Sequence, residues 1–261
     1  MILEDFHTHT TFSDGAAPPE EMAAAAAARG LTRLGFSDHS CASFDPEVSM
    51  ARERIAQYRE TVAALKEAWR GKLEIFCGIE QDFYSDFPAE GFDYVIGCVH
   101  YLKLGGEYYC VDDKVESLRE MTERHFGGDP YGMVEEYFRT EARVADETRC
   151  GLIGHFDLIA KLNERYQLFD ASHPRYIAAW RAAADALLET GKPFEINTGA
   201  ISRGWKSVPY PAPDITRYLA ERGARFVLSS DSHRTDTLCF GFAEQAAAAA
   251  ALGAKVVRFE I

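Results

Sequence analysis

The sequence lacks most features that mark membrane, secreted or nucleic-acid-binding proteins. Its 261 residues contain 28 Lys and Arg against 41 Asp and Glu, a formal net charge of −13 at pH 7. Because phosphate backbones and anionic membrane surfaces attract cationic side chains, this charge argues against nucleic acid polymers and membranes as partners. No apolar run approaches the roughly 18 residues of a transmembrane helix. The acidic N-terminal segment also lacks the basic region of a secretory signal.

Disulfide and zinc-finger signatures are missing as well. The six cysteines include no C-x-x-C pair, and their spacings are scattered. This usage predicts reduced thiols and a cytoplasmic location. A phosphorylated small molecule is not excluded as a partner, because bound cations can reverse the field of an acidic site.

The chain does contain short β-rich runs that alternate with longer helical segments. Strands are predicted at 2–6, 33–37, 74–79, 94–99, 151–154, 193–196, 225–229 and 255–260. Helices are predicted at 19–29, 48–69, 133–148, 174–190, 213–222 and 242–252. This alternation predicts a mainly parallel sheet with helices outside it, and seven or eight such units in about 250 residues suit a closed barrel. The polar segment 102–132 is predicted to be a loop excursion with a helix near 116–124.

No linker or shift in composition divides the chain, so we expect one domain spanning residues 1–261.

Histidines and carboxylates follow the predicted strands. His7 and His9 come after the first strand and Asp231 and His233 after the seventh, each pair two residues apart and so on one side of an extended chain. The remaining candidates, one in a turn and four at the ends of the second to fifth strands, are Asp14, His39, Glu80, His100 and His155.

The joint pattern of these nine residues predicts a metal cluster. Each residue taken singly could be a turn or capping residue. However, the carboxyl ends of barrel strands meet at one face, where such folds build their active sites. Imidazole and carboxylate ligands suit divalent Zn, Fe or Mn. Nine ligands are too many for one ion, so we expect two or three ions, with Glu80 able to bridge two of them.

The same motifs, from His7 to His233, resemble the PHP (polymerase and histidinol phosphatase) family, and their order is most similar to its monofunctional histidinol-phosphatase branch. The resemblance implies a distorted, TIM-like (β/α)7 barrel with a trinuclear metal centre at the carboxyl ends of its strands. It places His7, His9, Glu80 and Asp231 on one ion, Glu80, His100 and His155 on a second, and Asp14, His39 and His233 on a third. Many family members carry a histidine in place of Asp14.

The implied activity is the hydrolysis of L-histidinol phosphate to L-histidinol and inorganic phosphate, a step of histidine biosynthesis. A metal cluster lowers the pKa of a bound water to about 7, so a bridging hydroxide can attack phosphorus. Glu80 and Asp231 are then catalytic ligands. A phosphate dianion also favours an arginine fork. Arg203 is the first choice and Arg165 the second, although either could be a surface arginine, and Asn197 could orient the substrate.

The substrate's ammonium and imidazole groups require acidic or polar partners. The 102–132 segment offers Glu107, Asp112 and Asp113, and the sequence does not distinguish among them.

Other functions remain open from the sequence. The same site could serve a phosphodiesterase, a nuclease or another small-molecule phosphatase of the family. An amidohydrolase barrel also begins with H-x-H, but such enzymes usually bridge their metals with a carboxylated lysine where this chain has Glu80. A purely structural metal site would be closed, with every position filled by protein. The oligomeric state is not fixed by the sequence.

Overall fold

The computed structural model describes residues 3–261 and shows an α/β fold built on one parallel sheet. Met1 and Ile2, the latter part of the predicted first strand, lie outside the described residues. The strands are β1 (Glu4–Asp5), β2 (Arg33–Phe36), β3 (Glu74–Asp82), β4 (Tyr94–Cys98), β5 (Tyr101–Leu104), β6 (Glu107–Cys110), β7 (Leu152–Ile153), β8 (Phe194–Asn197), β9 (Arg225–Ser229) and β10 (Lys255–Val256). The sheet has the order β1-β2-β3-β4-β7-β8-β9-β10.

The helices follow the strands as the alternation predicted. They are α1 (Pro19–Ala28), α2 (Ile55–Ala68), α3 (Val115–Phe126), α4 (Pro130–Glu141), α5 (Val144–Thr148), α6 (Asn163–Tyr166), α7 (Pro174–Leu188), α8 (Gly199–Ser202), α9 (Pro213–Glu221) and α10 (Phe242–Ala251). Within 3–261, none of them combines the length and apolar character that a membrane crossing requires.

The sheet curls until its first strand meets its seventh. Just beyond the carboxyl ends of β1 and β9, Ser232 N donates to His7 O at 3.1 Å, and His9 N donates to Ser232 O at 2.8 Å. At its amino end β9 pairs instead with β10, through Lys255 and Val256. Seven strands therefore form the ring, and the eighth strand of the sheet, β10, pairs with β9 at the base of the barrel. This arrangement is a distorted (β/α)7 barrel.

The barrel interior is organised around Tyr94. Its ring crosses neighbouring strands at Gly78 and Gly35, where the lack of side chains leaves room. Its hydroxyl lies 2.6 Å from Phe6 O and 3.0 Å from Phe36 O. One side chain of β4 thus ties together the backbone at the ends of β1 and β2.

The C-terminal tail closes the base of the barrel. Phe259 N donates to Glu4 Oε1 at 2.7 Å, and Arg33 Nη1 donates to Phe259 O at 2.8 Å. The Phe259 ring packs edge-on against Tyr94 at 5.7 Å. This explains why the predicted strand 255–260 is only two residues long: the chain leaves the sheet in order to fill the barrel.

The prediction of a loop over 102–132 is wrong. β5 and β6 form an antiparallel hairpin, α3 follows where a helix near 116–124 was expected, and α4 begins at Pro130. The hairpin turn is Gly105-Gly106, with φ of 58° and 91°. Positive φ at both turn positions is typical of the tight turns of hairpins, so the Gly-Gly pair was the available signal.

Two predicted helices also differ from the structure. The helix expected at 48–69 begins at Ile55, after a single 3₁₀ turn at Arg52–Arg54. The helix expected at 133–148 is divided into α4 and α5. α4 starts earlier than predicted because Pro130 occupies its first turn and Asp129 Oδ1 accepts from Tyr131 N at 3.0 Å, which caps the helix.

We predict that Gly78→Ala destabilises the protein by about 1–3 kcal/mol, the usual cost of overpacking a core. A Cβ atom at Gly78 would lie 2.2 Å from Tyr94 Cζ. Urea denaturation measures the change. Gly151→Ala is the matched control, since its Cβ would come no closer than 3.7 Å to another atom, and it should shift stability by less than about 1 kcal/mol. Equal effects of the two substitutions would contradict the packing argument.

Candidate metal centre

The nine predicted ligands form one cluster at the carboxyl ends of the strands. Seven of them line a cavity of about 680 Å³. His7 and His9 lie beneath the cavity floor and are fully buried. Positions between residues 7 and 233 of the chain therefore converge at the mouth of the barrel, as the sequence pattern predicted.

Glu80 is the centre of this cluster. Its Oε1 lies 2.9 Å from His155 Nε2, 3.2 Å from His7 Nε2 and 3.3 Å from His100 Nε2. Its Oε2 lies 2.7 Å from His39 Nδ1. The sequence analysis placed Glu80 at the end of its strand, but β3 continues to Asp82. Pairing with β4 holds Glu80 in register with the adjacent strand.

Asp231 occupies the opposite side of the cluster. Its Oδ1 lies 3.3 Å from His9 Nε2, 3.8 Å from His7 Nε2 and 3.6 Å from His233 Nδ1. Its backbone φ is +49°, a left-handed conformation that is uncommon for residues other than glycine. The sharp turn after β9 lets Asp231 and His233 both face the centre.

An outer group of ligands surrounds Asp14. Asp14 Oδ2 lies 3.2 Å from His233 Nε2, and Asp14 Oδ1 lies 3.7 Å from His39 Nε2 and 3.8 Å from His9 Nδ1. The rings of His9 and His233 stack at 4.0 Å. The carboxylate of Asp14 thus lies where it can share a cation with two or three imidazoles.

The donor atoms fit divalent metal ions. Among the described residues, His7 Nε2, both ring nitrogens of His9 and Glu80 Oε2 are buried, and their contacts with neighbouring imidazoles and carboxylates do not have the geometry of hydrogen bonds. Leaving such atoms unpaired is costly, whereas a cation would satisfy them. Four overlapping groups have ligand atoms within 4.8 Å of one another: His9, Asp14, His39 and His233; Glu80, Cys98, His100 and His155; His7, His155 and Asp231; and His7, His9 and Glu80.

These groups resemble the predicted division into three sites, with two differences. His7, His9 and His155 each belong to two groups, and the thiol of Cys98 belongs to the group around His100. The ligands predicted from the sequence are all imidazoles and carboxylates. Cys98 precedes His100 by two residues at the end of β4, so the alternation of side chains in an extended chain was the signal for it.

The carboxylates and imidazoles of the cluster shift one another's pKa values. Burial alone would raise the pKa of Glu80, but the imidazoles of His7, His39 and His100 hold it well below its usual range. Burial, together with the neighbouring imidazoles, lowers the pKa of His9 to about 3. At neutral pH Glu80 is therefore ionised and His9 is neutral, the forms in which these side chains bind metals. Burial would lower the pKa values of His7, His39 and His100, but the nearby carboxylates raise them, so metal binding would release protons from these imidazoles.

A buried aspartate supports each of the two loops that carry ligands. Asp38 accepts from Thr10 N and Thr10 Oγ1, both at 2.8 Å, and from Ser13 Oγ at 2.6 Å. These bonds fix the loop between His9 and Asp14. In the sequence, the only signal for this role of Asp38 is its position next to the candidate ligand His39.

Asp5 has the equivalent role on the other side. Its carboxylate accepts from Ser230 N at 3.1 Å and from Cys239 N at 3.0 Å, which fixes the loop that carries Asp231 and His233. Burial raises the pKa of Asp5 to about 6, although these hydrogen bonds oppose the shift.

Glu195 is a further residue that the sequence analysis missed. It is fully buried on β8, and its Oε1 lies 2.7 Å from His7 Nδ1. Asn197 Nδ2 donates to Glu195 Oε2 at 3.2 Å and lies 3.5 Å from Asp231 Oδ2. A proton held on Nδ1 leaves Nε2 of His7 free to face Glu80, the arrangement by which an outer carboxylate orients a metal-binding histidine.

The two predicted phosphate-binding arginines lie in different environments. Arg203 lines the cavity and donates to Asp231 O at 2.7 Å and to Asp231 Oδ2 at 2.9 Å. Arg165 does not line the cavity; it donates to Gly204 O at 2.6 Å and its guanidinium lies 4.2 Å from the centre of the Trp205 ring. Asn197 is fully buried behind Asp231 and does not line the cavity either.

Of the acidic residues offered by the 102–132 segment, Asp112 and Asp113 line the cavity and Glu107 does not. Glu107 lies in the hairpin, 2.9 Å from Arg124. Lys161, which the sequence analysis did not single out, also lines the cavity and pairs with Asp112 at 2.7 Å. The cavity therefore carries cationic side chains beside the cluster of ligands.

A TIM-like barrel with an imidazole–carboxylate cluster at its open mouth defines a metal-dependent hydrolase. Residues 5–199 match the PHP domain, and the chain belongs to this family. The resemblance inferred from the motifs is thereby confirmed, and the amidohydrolase alternative is excluded.

Curated relatives extend the match over nearly the whole chain. The protein is 33% identical to a "Probable histidinol-phosphatase" of Deinococcus radiodurans, over 98% of this chain and 96% of the relative. It is 23% identical to the histidinol-phosphatase of Bacillus subtilis, over 93% and 97%. A crystal structure of histidinol phosphate phosphatase from Lactococcus lactis, complexed with Zn, L-histidinol and phosphate, has the same fold, with a TM-score of 0.77 at 20% identity over 98% and 95% of the two chains.

We predict that Glu195→Ala weakens the binding of divalent metal by about 10–100-fold, the usual effect of losing a partner behind a metal ligand. Without the carboxylate, the ring of His7 is no longer held with Nε2 toward Glu80. Calorimetric titration of metal-free protein with Mn²⁺ or Zn²⁺ measures the affinity. Glu195→Gln retains a carbonyl oxygen that can accept the Nδ1–H bond, so it should recover part of the loss. Wild-type affinity in the alanine variant would refute this role.

Proposed function

We propose that the protein hydrolyses L-histidinol phosphate to L-histidinol and inorganic phosphate, a reaction of histidine biosynthesis. The observation that carries the proposal is the nine-residue cluster, open to a cavity that also presents Arg203. The open cavity argues against a purely structural metal site, which would be closed. The relatives matched almost end to end are named "Probable histidinol-phosphatase" and "Histidinol-phosphatase", and they support this substrate over a phosphodiester or another phosphate ester.

We assign three divalent ions, of Zn, Fe or Mn, to the cluster. The proposed sets are His7, His9, Glu80 and Asp231; Glu80, His100 and His155; and Asp14, His39 and His233. The overlap of the observed ligand groups at Glu80 supports a bridging carboxylate. The cytoplasmic location expected from the cysteines stays a prediction.

Bound ions would supply an activated water and would neutralise phosphoryl charge. The protein's own contribution begins with Arg203. Its guanidinium has five N–H donors. Its contacts with Asp231 O and Asp231 Oδ2 leave donors free for phosphoryl oxygens. Because Asp231 also contacts His9, phosphate held by Arg203 would lie directly beside the cluster.

The remaining residues hold this arrangement in place. Lys161 adds a second positive charge to the cavity, partly neutralised by Asp112. Glu195 orients His7, and Asn197 connects Glu195 to Asp231, so that the ligands enter the reaction already positioned. Such preorganisation avoids the cost of reordering polar groups during the reaction.

We predict that the purified protein, loaded with Mn²⁺, Fe²⁺ or Zn²⁺, releases phosphate from L-histidinol phosphate with a higher kcat/KM than from other monoesters. A phosphodiester assayed beside it should be a poor substrate. Colorimetric phosphate release across this panel tests the proposal. Efficient cleavage of the diester would contradict the proposal. So would a protein that cleaves other monoesters but releases no phosphate from L-histidinol phosphate with any of the three metals.

We predict that Glu80→Gln lowers kcat by more than about 100-fold, exceeding the loss seen when only outer partners of a metal are removed. The variant keeps the shape of the side chain but loses the bridging charge, so it should also bind fewer metal ions per chain. Elemental analysis and phosphate release from the same preparation provide both measurements. Glu189→Gln, an exposed change at the end of α7, should behave as wild type. A Glu80→Gln protein with full metal content and normal rate would rule out the bridging role.

A further inference from the structure

We propose that Asp45 binds the cationic part of the substrate and thereby makes the enzyme selective for phosphate esters of amino alcohols. The inference rests on the proposed function and adds a residue that determines specificity. It starts from the shape of the cavity, whose floor is formed by the metal-ligand cluster. The wall away from that floor is formed by the loop 40–49 and by β5, and it includes Phe44, Asp45 and Tyr101.

The position of Asp45 is fixed by the backbone of this loop. The loop is closed at its base, where Met50 N donates to His39 O at 3.1 Å. Inside the loop, Asp45 N donates to Ala42 O at 2.9 Å and Ser49 N donates to Asp45 O at 3.2 Å. Asp45 is therefore held at a defined place relative to the metal-ligand cluster.

The side chain of Asp45 is oriented but not neutralised. Tyr101 Oη donates to Asp45 Oδ2 at 2.6 Å, and Tyr101 directly follows His100 in the chain. Among residues 3–261, no ion pair joins Asp45 to a cationic side chain. One carboxylate oxygen is engaged by the tyrosine, and the other is available to a ligand. Glu47, the neighbouring carboxylate of the loop, is exposed and has no such orienting contact in the described chain.

Apart from the exposed Glu47, the other carboxylates of the cavity outside the cluster already have partners. Asp112 pairs with Lys161 at 2.7 Å, and Asp113 lies 3.4 Å from Lys114. Asp82 accepts from the backbone, including His100 N at 2.8 Å. Of the carboxylates on this wall, Asp45 is the one that combines partial burial, a fixed orientation and a free charge.

Aromatic side chains surround Asp45 and complete the subsite. The ring of Phe44 packs edge-on against Tyr101 at 4.9 Å and stacks on Tyr108 at 3.7 Å. Aromatic faces attract cations and flat rings, and a carboxylate binds an ammonium or an imidazole N–H. The wall is thus suited to the amino and imidazole groups of an alcohol whose phosphate lies over the metal-ligand cluster.

The test compares two phosphate monoesters, L-histidinol phosphate and the uncharged-alcohol ester p-nitrophenyl phosphate. Asp45→Asn keeps an acceptor for Tyr101 but removes the charge. The ratio of kcat/KM values, cationic over neutral ester, should fall about 10–100-fold, the range expected for loss of a hydrogen bond to a charged group. The change should lie mainly in KM. Calorimetric binding of L-histidinol should weaken by a similar factor, a measurement independent of turnover.

Glu47→Gln is the matched control, because Glu47 lies on the same loop and lines the same cavity but is exposed to solvent, which screens its charge. Its ratio should stay within about 3-fold of wild type. The proposal would be overturned if Asp45→Asn left both the ratio and the affinity for L-histidinol unchanged. It would also be overturned if the substitution lowered kcat/KM equally for the two esters. Failure of the proposed function is a distinct result: the wild-type protein itself would then cleave p-nitrophenyl phosphate but not L-histidinol phosphate, and both proposals would fall.

Discussion

The contact of one buried carboxylate with several imidazoles is the constraint on which the rest of the structure depends. Glu80 lies within 3.3 Å of nitrogens from four histidines, carried on segments that follow four different strands. The carboxylate and the imidazoles would not gather without the fold, because burying polar atoms without full hydrogen bonding is unfavourable. The barrel makes the assembly possible by directing the carboxyl ends of its strands to one point, and a bound cation would remove the remaining cost.

Much of the remaining polar interior holds this arrangement in place. Asp38 and Asp5 each fix a loop that carries two ligands, while Glu195 orients His7 from behind. Below them, Tyr94 ties the first strands together across two glycines. The side chains nearest the cavity are therefore held by hydrogen bonds from buried partners, which is the preorganisation that catalysis on a phosphate ester needs.

The repeating pattern of the chain was sufficient to predict the barrel and the convergence of the nine candidate ligands, because strand alternation and strand-end position are local properties. Glu195 and Asp45 could not be found in this way, since each is an ordinary acidic residue whose role comes from a partner 188 and 56 positions away. The hairpin in 102–132 was missed although its Gly-Gly turn is visible in the sequence. Arg165 follows His155 closely in the chain, yet it does not line the cavity, because its guanidinium is engaged by Gly204 O and by the ring of Trp205.

The central claim is that the carboxylate of Glu80 lies among divalent cations. Anomalous diffraction from crystals grown with Mn²⁺ or Zn²⁺, recorded on both sides of the absorption edge of the metal, locates such ions directly. The account predicts anomalous peaks on either side of Glu80, one toward His7 and Asp231 and another toward His100 and His155, with a third beside Asp14. Crystals from metal-containing solution with no peak within coordinating distance of Glu80, or with ions bound only at surface carboxylates, would contradict it.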